Sequence, residues 1–299
     1  MAEALYSGTT PYPIDPTRER YVLAASGGKD STAVYCWAVD TLGPAGFEAV
    51  FMDTGHEHPF TVNYVRNLHT MAGGPEVQFL CADFSARLAK KGVEPSGNPF
   101  EDMLVVNGRA PAQMTRFCTR QLKMEPMQKW LSETTPDHLN AVVITGIRAA
   151  ESARRSQLRE RGVDLYWGCH LWRPGFNWSE EQVWKILEAK GVPPNPLYAL
   201  GWSRVGCFPC IMARKKDLAL LPAWAWDRLE YWENEILMKA KEGEQRTFFQ
   251  ANILPGEGLK TVPMVREWAR TSFGGKQFDL FWQEPDEIGS CLESWGACE

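Results

Sequence analysis

Apolar residues fall along this chain in short runs, each cut off by glycine or small polar residues and followed by a stretch of helical composition. Residues 21–25 are an apolar run of strand length, and 32–42 read as a helix ended by Gly43-Pro44. The pattern repeats, with strands expected at 47–52 and 77–81 and helices at 59–71 and 85–91. A fourth strand, 141–147, enters a helix near Ala149. Strands alternating with helices predict an α/β fold, a parallel sheet covered by helices on both faces. Ligands in such sheets sit beyond the carboxyl ends of the strands, which here means Ser26, Asp53 and Gly146. Further on, Ser179 reads as a helix cap with Gln182 reaching back, a capping box. From about Leu218 the sequence turns helical, charged and rich in tryptophan. The expected organisation is an extended lead-in over 1–19, an α/β domain over 20–215, and a helical C-terminal region over 216–299 whose tail carries cysteines.

Composition narrows this picture. With 299 residues, 44% hydrophobic and 23% charged, the chain can bury a sizeable core. A net charge of -5 argues against gripping nucleic acid over the whole surface, though not against a local basic groove. The N-terminus lacks the basic-then-apolar pattern of a signal peptide. No apolar stretch approaches the roughly 20 residues of a membrane-spanning helix. A cytoplasmic protein without a membrane partner is therefore expected. In that reducing setting the eight cysteines read as buried thiols, nucleophiles or metal ligands rather than disulfides.

The candidate chemistry begins at Ser26-Gly27-Gly28-Lys29-Asp30-Ser31, the seam between the first strand and first helix. It is not the Walker loop, which needs four residues between its first glycine and its Gly-Lys pair. The physics is shared all the same. Gly27 and Gly28 let the backbone turn tightly and point N–H groups inward, and the following helix offers its N-terminus to an anion. Lys29 adds a positive charge, expected to be solvent-accessible, and Ser26 and Ser31 add hydroxyls. Asp30 reads as a helix-start residue or a partner for Mg²⁺ or Lys29. Asp53 is placed either to hold a metal or nucleotide hydroxyl or to cap its own turn. Arg148 can reach a phosphate with its fork of donors; Lys123 and Arg155 are further candidates, with Gly146 at the strand end. Arg154 adds charge nearby, whereas Arg159 and Arg161 read as a solvated helix face. His56 and His58 stand near Asp53 as candidate substrate contacts.

SGGKDS after a strand resembles the pyrophosphate loop of the N-type ATP pyrophosphatases, which cleave ATP between its α and β phosphates. Four more segments resemble the phosphoadenosine phosphosulfate (PAPS) reductase-like family: MDTGHEHP at 52–59, FCTRQLKMEP at 117–126, GIRAAESARR at 146–155 and PLYALGWSRVGCFPC at 196–210. The resemblance implies an adenine nucleotide alpha hydrolase-like fold. Two departures matter. Reductases of sulfated nucleotides usually carry a degraded loop without the Lys-Asp pair, whereas this chain keeps Lys29 and Asp30. Their single-cysteine tail is replaced here by SCLESWGACE, with Cys291 and Cys298.

Cys207-Phe-Pro-Cys210 has metal-type spacing, although a redox pair has the same spacing. The resemblance to iron–sulfur members implies that Cys118 joins this pair. A 4Fe–4S cluster on Cys118, Cys207, Cys210 and Cys298, with Cys291 as alternate fourth ligand, is the expectation, and Zn²⁺ is the alternative. Cys36 and Cys81 read as core thiols, and Cys169 has no partner by spacing.

The resemblance implies an enzyme that binds ATP with Mg²⁺, releases pyrophosphate, and activates an acceptor for sulfur transfer. Lys29, Asp30 and Arg148 would carry the chemistry, and a sulfur donor or reductant would be a further partner. A nucleic acid is among the acceptors that fit, and a homodimer is compatible. A PAPS or adenosine 5'-phosphosulfate (APS) reductase, in which a thiol attacks a sulfonucleotide, is the alternative; a non-catalytic nucleotide-binding subunit is the second.

Overall fold

The computed structural model describes residues 5–9, 14–15, 19–112, 115–135, 140–238, 246–249, 253–254 and 258–271. The chain divides into two compact units, one of residues 1–100 and 117–208, the other of 101–116 and 209–299.

The first unit is built on strands β1 (Arg20–Ala25), β2 (Glu48–Asp53), β3 (Val77–Cys81), β4 (Ala141–Thr145), β5 (Arg161–Asp164) and β6 (Cys169–Trp172). They form one sheet in the order β3-β2-β1-β4-β6-β5. All neighbouring pairs are parallel except β5 with β6. The chain builds outward from β1 through β2 to β3, then returns to place β4 on the other side of β1. The strand order therefore reverses between β1 and β4, and such a reversal opens a crevice at the carboxyl ends of the two strands.

Alternation along each strand divides the core into two layers. Leu23, Ala25, Ala49, Phe51, Val142 and Ile144 face helices α1 (Lys29–Leu42) and α4 (Glu180–Ala189), meeting Val34, Trp37, Val183 and Ile186. Val22, Val50, Ala141 and Val143 face the other way, against Met127 and Leu131 of α3 (Glu125–Thr134). Helix α2 (Pro59–Arg66) follows β2. Trp37 meets Trp172 edge-on at 4.8 Å, a contact worth about 1 kcal/mol beyond its buried area.

The covered parallel sheet agrees with the alternation in the sequence, but four local expectations are corrected. The helix expected over 59–71 breaks at Asn67, whose φ of -93° and ψ of 0° separate α2 from a short helix Leu68–Ala72. Arg161 stands in edge strand β5, its guanidinium 3.9 Å from the centre of the Trp172 ring, and not on a helix face. Cys81 is exposed at the end of β3 rather than a core thiol. Ser179 caps α4 by accepting from the Gln182 N–H at 3.1 Å, but the Gln182 side chain donates to the carbonyls of Leu5 and Ser7, so half the capping box is missing.

The second unit carries helices Lys215–Ala219, Ala223–Tyr231 and Val262–Ala269 and a π-helical turn Trp232–Leu237. The Arg228 guanidinium lies 5.2 Å from the Trp224 ring and 5.1 Å from the Trp232 ring. Glu233 is buried and accepts the N–H groups of Phe248 and Val262, each at 2.8 Å. Among the described residues no helix is long and apolar enough to cross a membrane.

Candidate functional site

The loop from Ser26 to Ser31 lies at the carboxyl end of β1, beside the point where the strand order reverses. Gly27 takes φ +71°, a conformation an L side chain rarely adopts; a Cβ there would also stand 2.8 Å from Thr61 Cγ2. Gly28 is the N-cap of α1 and has no side chain with which to cap that end. The first N–H groups of a fourteen-residue helix thus get no cap from their own N-cap residue, and an anion can satisfy those not otherwise engaged. Ser26 Oγ and Ser31 Oγ lie 2.8 Å apart, and Ser31 Oγ donates to the Gly28 carbonyl at 3.0 Å, which fixes the curl of the loop. From the β4 side, Gly146 lets the strand pass the loop: a Cβ there would meet Ser31 Cα and N at 2.6 Å.

Lys29 is only 9% exposed, not the solvent-accessible side chain expected from sequence. Its ammonium lies 3.5 Å from Asp30 Oδ2 and 3.4 Å from Glu180 Oε1. Burial works to lower its pKa, but Asp30, Tyr198 and Glu180 outweigh that and raise it, so it stays cationic. Asp30 bridges two cations, since Arg148 Nε donates to its other oxygen. Arg148 is buried, and its Nη1 donates to the Trp178 carbonyl at 3.4 Å. Asp30 is thus both a helix-start residue and a partner of Lys29, and the Arg148 fork is turned to that carboxylate. Arg155 pairs with Glu151, one turn beyond Arg148.

Two residues that the sequence left without a role complete the loop. Asn195 is fully buried, and its Nδ2 donates to the Gly27 carbonyl at 3.2 Å and to Thr61 Oγ1 at 3.3 Å. Its Oδ1 accepts the Leu197 N–H at 3.1 Å and starts the turn Pro196–Tyr198. That turn delivers Tyr198, whose hydroxyl accepts the Lys29 N–H at 3.1 Å. An Asn-Pro dipeptide signals a turn in sequence, but nothing in it tells which distant glycine the Asn side chain will hold.

At the end of β2, Asp53 Oδ1 accepts the Gly55 N–H at 2.9 Å, which makes it the cap of its own turn. Asp53, Glu57, Asn63 and Arg66 line a cavity of about 400 Å³ with Pro59 and Val62. Glu57, absent from the sequence-based candidates, is buried and accepts the Thr54 N–H at 3.0 Å and the Thr54 hydroxyl at 2.7 Å. Burial pushes its carboxyl up, against the opposing pull of Lys123 and Thr54. His58 caps α2, its Nδ1 accepting the Phe60 N–H at 3.0 Å, and its ring lies edge-on to Phe208 at 4.5 Å. His56 is buried against Phe100. Both histidines are thus packed into the structure.

Cys207 Sγ lies 3.9 Å from both Glu57 Oε1 and Thr54 Oγ1. Cys118 sits in a short helix, Phe117–Thr119, and is half-buried. Cys210 falls in the second unit. Cys291 and Cys298 lie outside the described residues. The thiolate donor set is chemically suited to a cluster or to zinc, yet among the described residues no three His, Cys, Asp or Glu side chains converge on one ion. Cys36 and Cys169 are buried, and burial pushes each thiol up to about 12. Lys123 stands in a π-helical turn, Arg120–Met124, its charge felt at Glu57.

The model of the phosphoadenosine phosphosulfate reductase domain matches residues 20–213. An uncharacterized 37.8 kDa protein of Escherichia phage 186 is 32% identical over 93% of this chain and 96% of its own. An adenosine 5'-phosphosulfate reductase of Burkholderia cepacia is 31% identical over 38% of this chain, a stretch that spans 44% of the reductase. A crystal structure of a PAPS reductase from Candida auris, in complex with phosphate, aligns with 69% of this chain and 87% of its own at 20% identity and a TM-score of 0.47.

Proposed function

The chain belongs to the phosphoadenosine phosphosulfate reductase domain family, and from that premise we propose that it binds ATP at the Ser26–Ser31 loop and cleaves it to AMP and pyrophosphate. One observation carries the reading: a helix N-terminus at the switch point of the sheet whose N-cap is glycine, with a buried, charge-paired lysine in its first turn. The arrangement suits a pyrophosphate leaving group. An acceptor oxygen attacks the α-phosphorus, the bond from that phosphorus to the bridging oxygen breaks, and the electron pair leaves with pyrophosphate. Backbone N–H groups, the Ser26 hydroxyl and the Lys29 ammonium take up the negative charge as it forms, while the Ser31 hydroxyl holds the loop's curl through the Gly28 carbonyl. A nucleophilic sulfur then displaces AMP from the activated acceptor. Asp30 and Arg148 hold Lys29 in place and exclude water from its pair. Asp30 is occupied by two cations, so Asp53 is the carboxylate that would hold Mg²⁺, which supplies further neutralisation of the phosphates.

Cys118, Cys207 and Cys210, with Cys291 or Cys298, are our proposed ligands for a 4Fe–4S cluster, zinc being the alternative. No step above depends on that group. The second reading, attack of a cysteine thiol on a sulfonucleotide, is favoured by the identity to APS reductases. The intact Lys29–Asp30 pair, built into a network with Arg148 and Glu180, favours ATP.

The test is product analysis with ATP and Mg²⁺ in the presence of candidate acceptors, nucleic acid included. AMP and pyrophosphate are expected. ADP and phosphate, or release of sulfite from PAPS or APS with thiol, would overturn the reading, and binding without turnover would mark a nucleotide-binding subunit.

A further inference from the structure

We infer that Tyr198 is an anion-positioning residue of the loop, its hydroxyl donating to the phosphate group held there. The inference rests on the nucleotide reading above and deepens it, because it adds to the site a residue 169 positions from Lys29.

The hydroxyl is aimed at the loop from outside it. It accepts the Lys29 N–H at 3.1 Å, one of the amides at the N-terminus of α1. The backbone N–H groups of Lys29 and Val205 both favour its oxygen, opposing the burial that pushes the phenol up. Having accepted the Lys29 N–H, the hydroxyl still has its own hydrogen to donate. The space into which it can donate is defined by Gly28. A Cβ built on Gly28 would stand 3.6 Å from Tyr198 Oη and 3.6 Å from Ser26 Oγ. Two hydroxyls, with the Val205 carbonyl oxygen at 3.9 Å, therefore border the hollow that the missing side chain leaves at the helix end.

The ring is fixed for the task. Its centroid lies 5.6 Å from the Lys29 ammonium and its edge meets Trp184 at 5.4 Å. Asn195, three residues earlier, ties the turn to the Gly27 carbonyl. A second possibility, a plug that competes with the anion for the Lys29 N–H, makes the opposite prediction.

The experiment is calorimetric titration with inorganic pyrophosphate of the unmodified full chain, Tyr198→Phe and Ser26→Ala, with thermal melts of all three. Tyr198→Phe keeps the ring and its contacts with Lys29 and Trp184 and deletes only the hydroxyl. A weakening of about tenfold or more is expected, the loss of a hydrogen bond to a charged group, with little change in melting temperature. Ser26→Ala should weaken binding comparably. Unchanged or tighter binding by Tyr198→Phe, while Ser26→Ala is weakened, would overturn the role of Tyr198 and leave the loop as the site. Failure of the unmodified chain to bind pyrophosphate would overturn both readings. Should Tyr198→Phe melt far lower, Tyr198→His decides, because its ring N–H restores a donor: recovery of affinity supports the inference, and no recovery overturns it.

Discussion

Gly146 is the position where the end of β4 comes against the Ser26–Ser31 loop, and Gly146→Ala measures how much of the proposed site depends on that approach. The added Cβ would lie 2.6 Å from Ser31 Cα and Ser31 N and 2.9 Å from Asp30 C. All three are backbone atoms, so no side chain can rotate away. The first turn of α1 must retreat by about 0.8 Å, the difference between 2.6 Å and the 3.4 Å at which ordinary contact begins. That retreat carries Ser31, Asp30 and the N–H groups of the helix end with it. Overpacking of this kind costs about 1–3 kcal/mol in stability, a fall of several degrees in Tm for a domain of this size. The effect on function should be larger, because a misplacement of about 1 Å in a positioned site costs on the order of 100-fold in rate. Melting curves and nucleotide titration of Gly146→Ala should therefore show a folded protein with nucleotide affinity down at least about tenfold. Gly206→Ala is the control, since a Cβ there meets nothing within 4 Å. Unchanged affinity in Gly146→Ala would refute the placement of the anion at the start of α1.

Three further outcomes follow from the same geometry. Lys29→Met should weaken ATP binding more than tenfold, and because the ammonium is buried between Asp30 and Glu180 it should also lower Tm; titration calorimetry and melting curves measure the two. Burial raises the Glu233 carboxyl above the ordinary carboxylate range. Its contribution to stability is therefore fully present below the unfolded-state pKa and is lost as pH rises through the higher folded-state value. Denaturant midpoints across that interval should fall with rising pH, and Glu233→Gln should flatten the fall; an unchanged slope would remove Glu233 from the account. Protein purified without oxygen should be brown and bleached by Cys207→Ser, whereas colourless protein with stoichiometric zinc would exchange the cluster for zinc.

The parts legible in sequence were those that backbone geometry dictates. The run 77–81 ended at the residue expected, because its apolar and β-branched residues stop at polar borders. Gly27, Gly28 and Gly146 could be picked out because each occupies a place that a side chain would fill. What stayed hidden was pairing between distant side chains. Lys29 reads as an exposed cation until Glu180, 151 positions later, arrives beside it. Arg148 reads as a phosphate fork until Asp30 engages it. The β5 strand, Arg-Gly-Val-Asp, reads as a charged surface because an edge strand of a sheet carries charge for its own reason, to discourage further pairing. Neither the Asn-Pro turn signal at Asn195 nor the 52–59 segment that contains Glu57 tells what these side chains hold, and only the fold shows that one holds the Gly27 carbonyl and the other the Thr54 turn.

The most direct test of the central claim is calorimetric titration of protein purified without oxygen, with ATP and Mg²⁺ in one series and PAPS in the other. Tight binding of ATP and weak binding of PAPS is the predicted result, with the ATP signal lost in Lys29→Met. Tight binding of PAPS and weak binding of ATP would contradict it, and would make the intact loop a sulfonucleotide site.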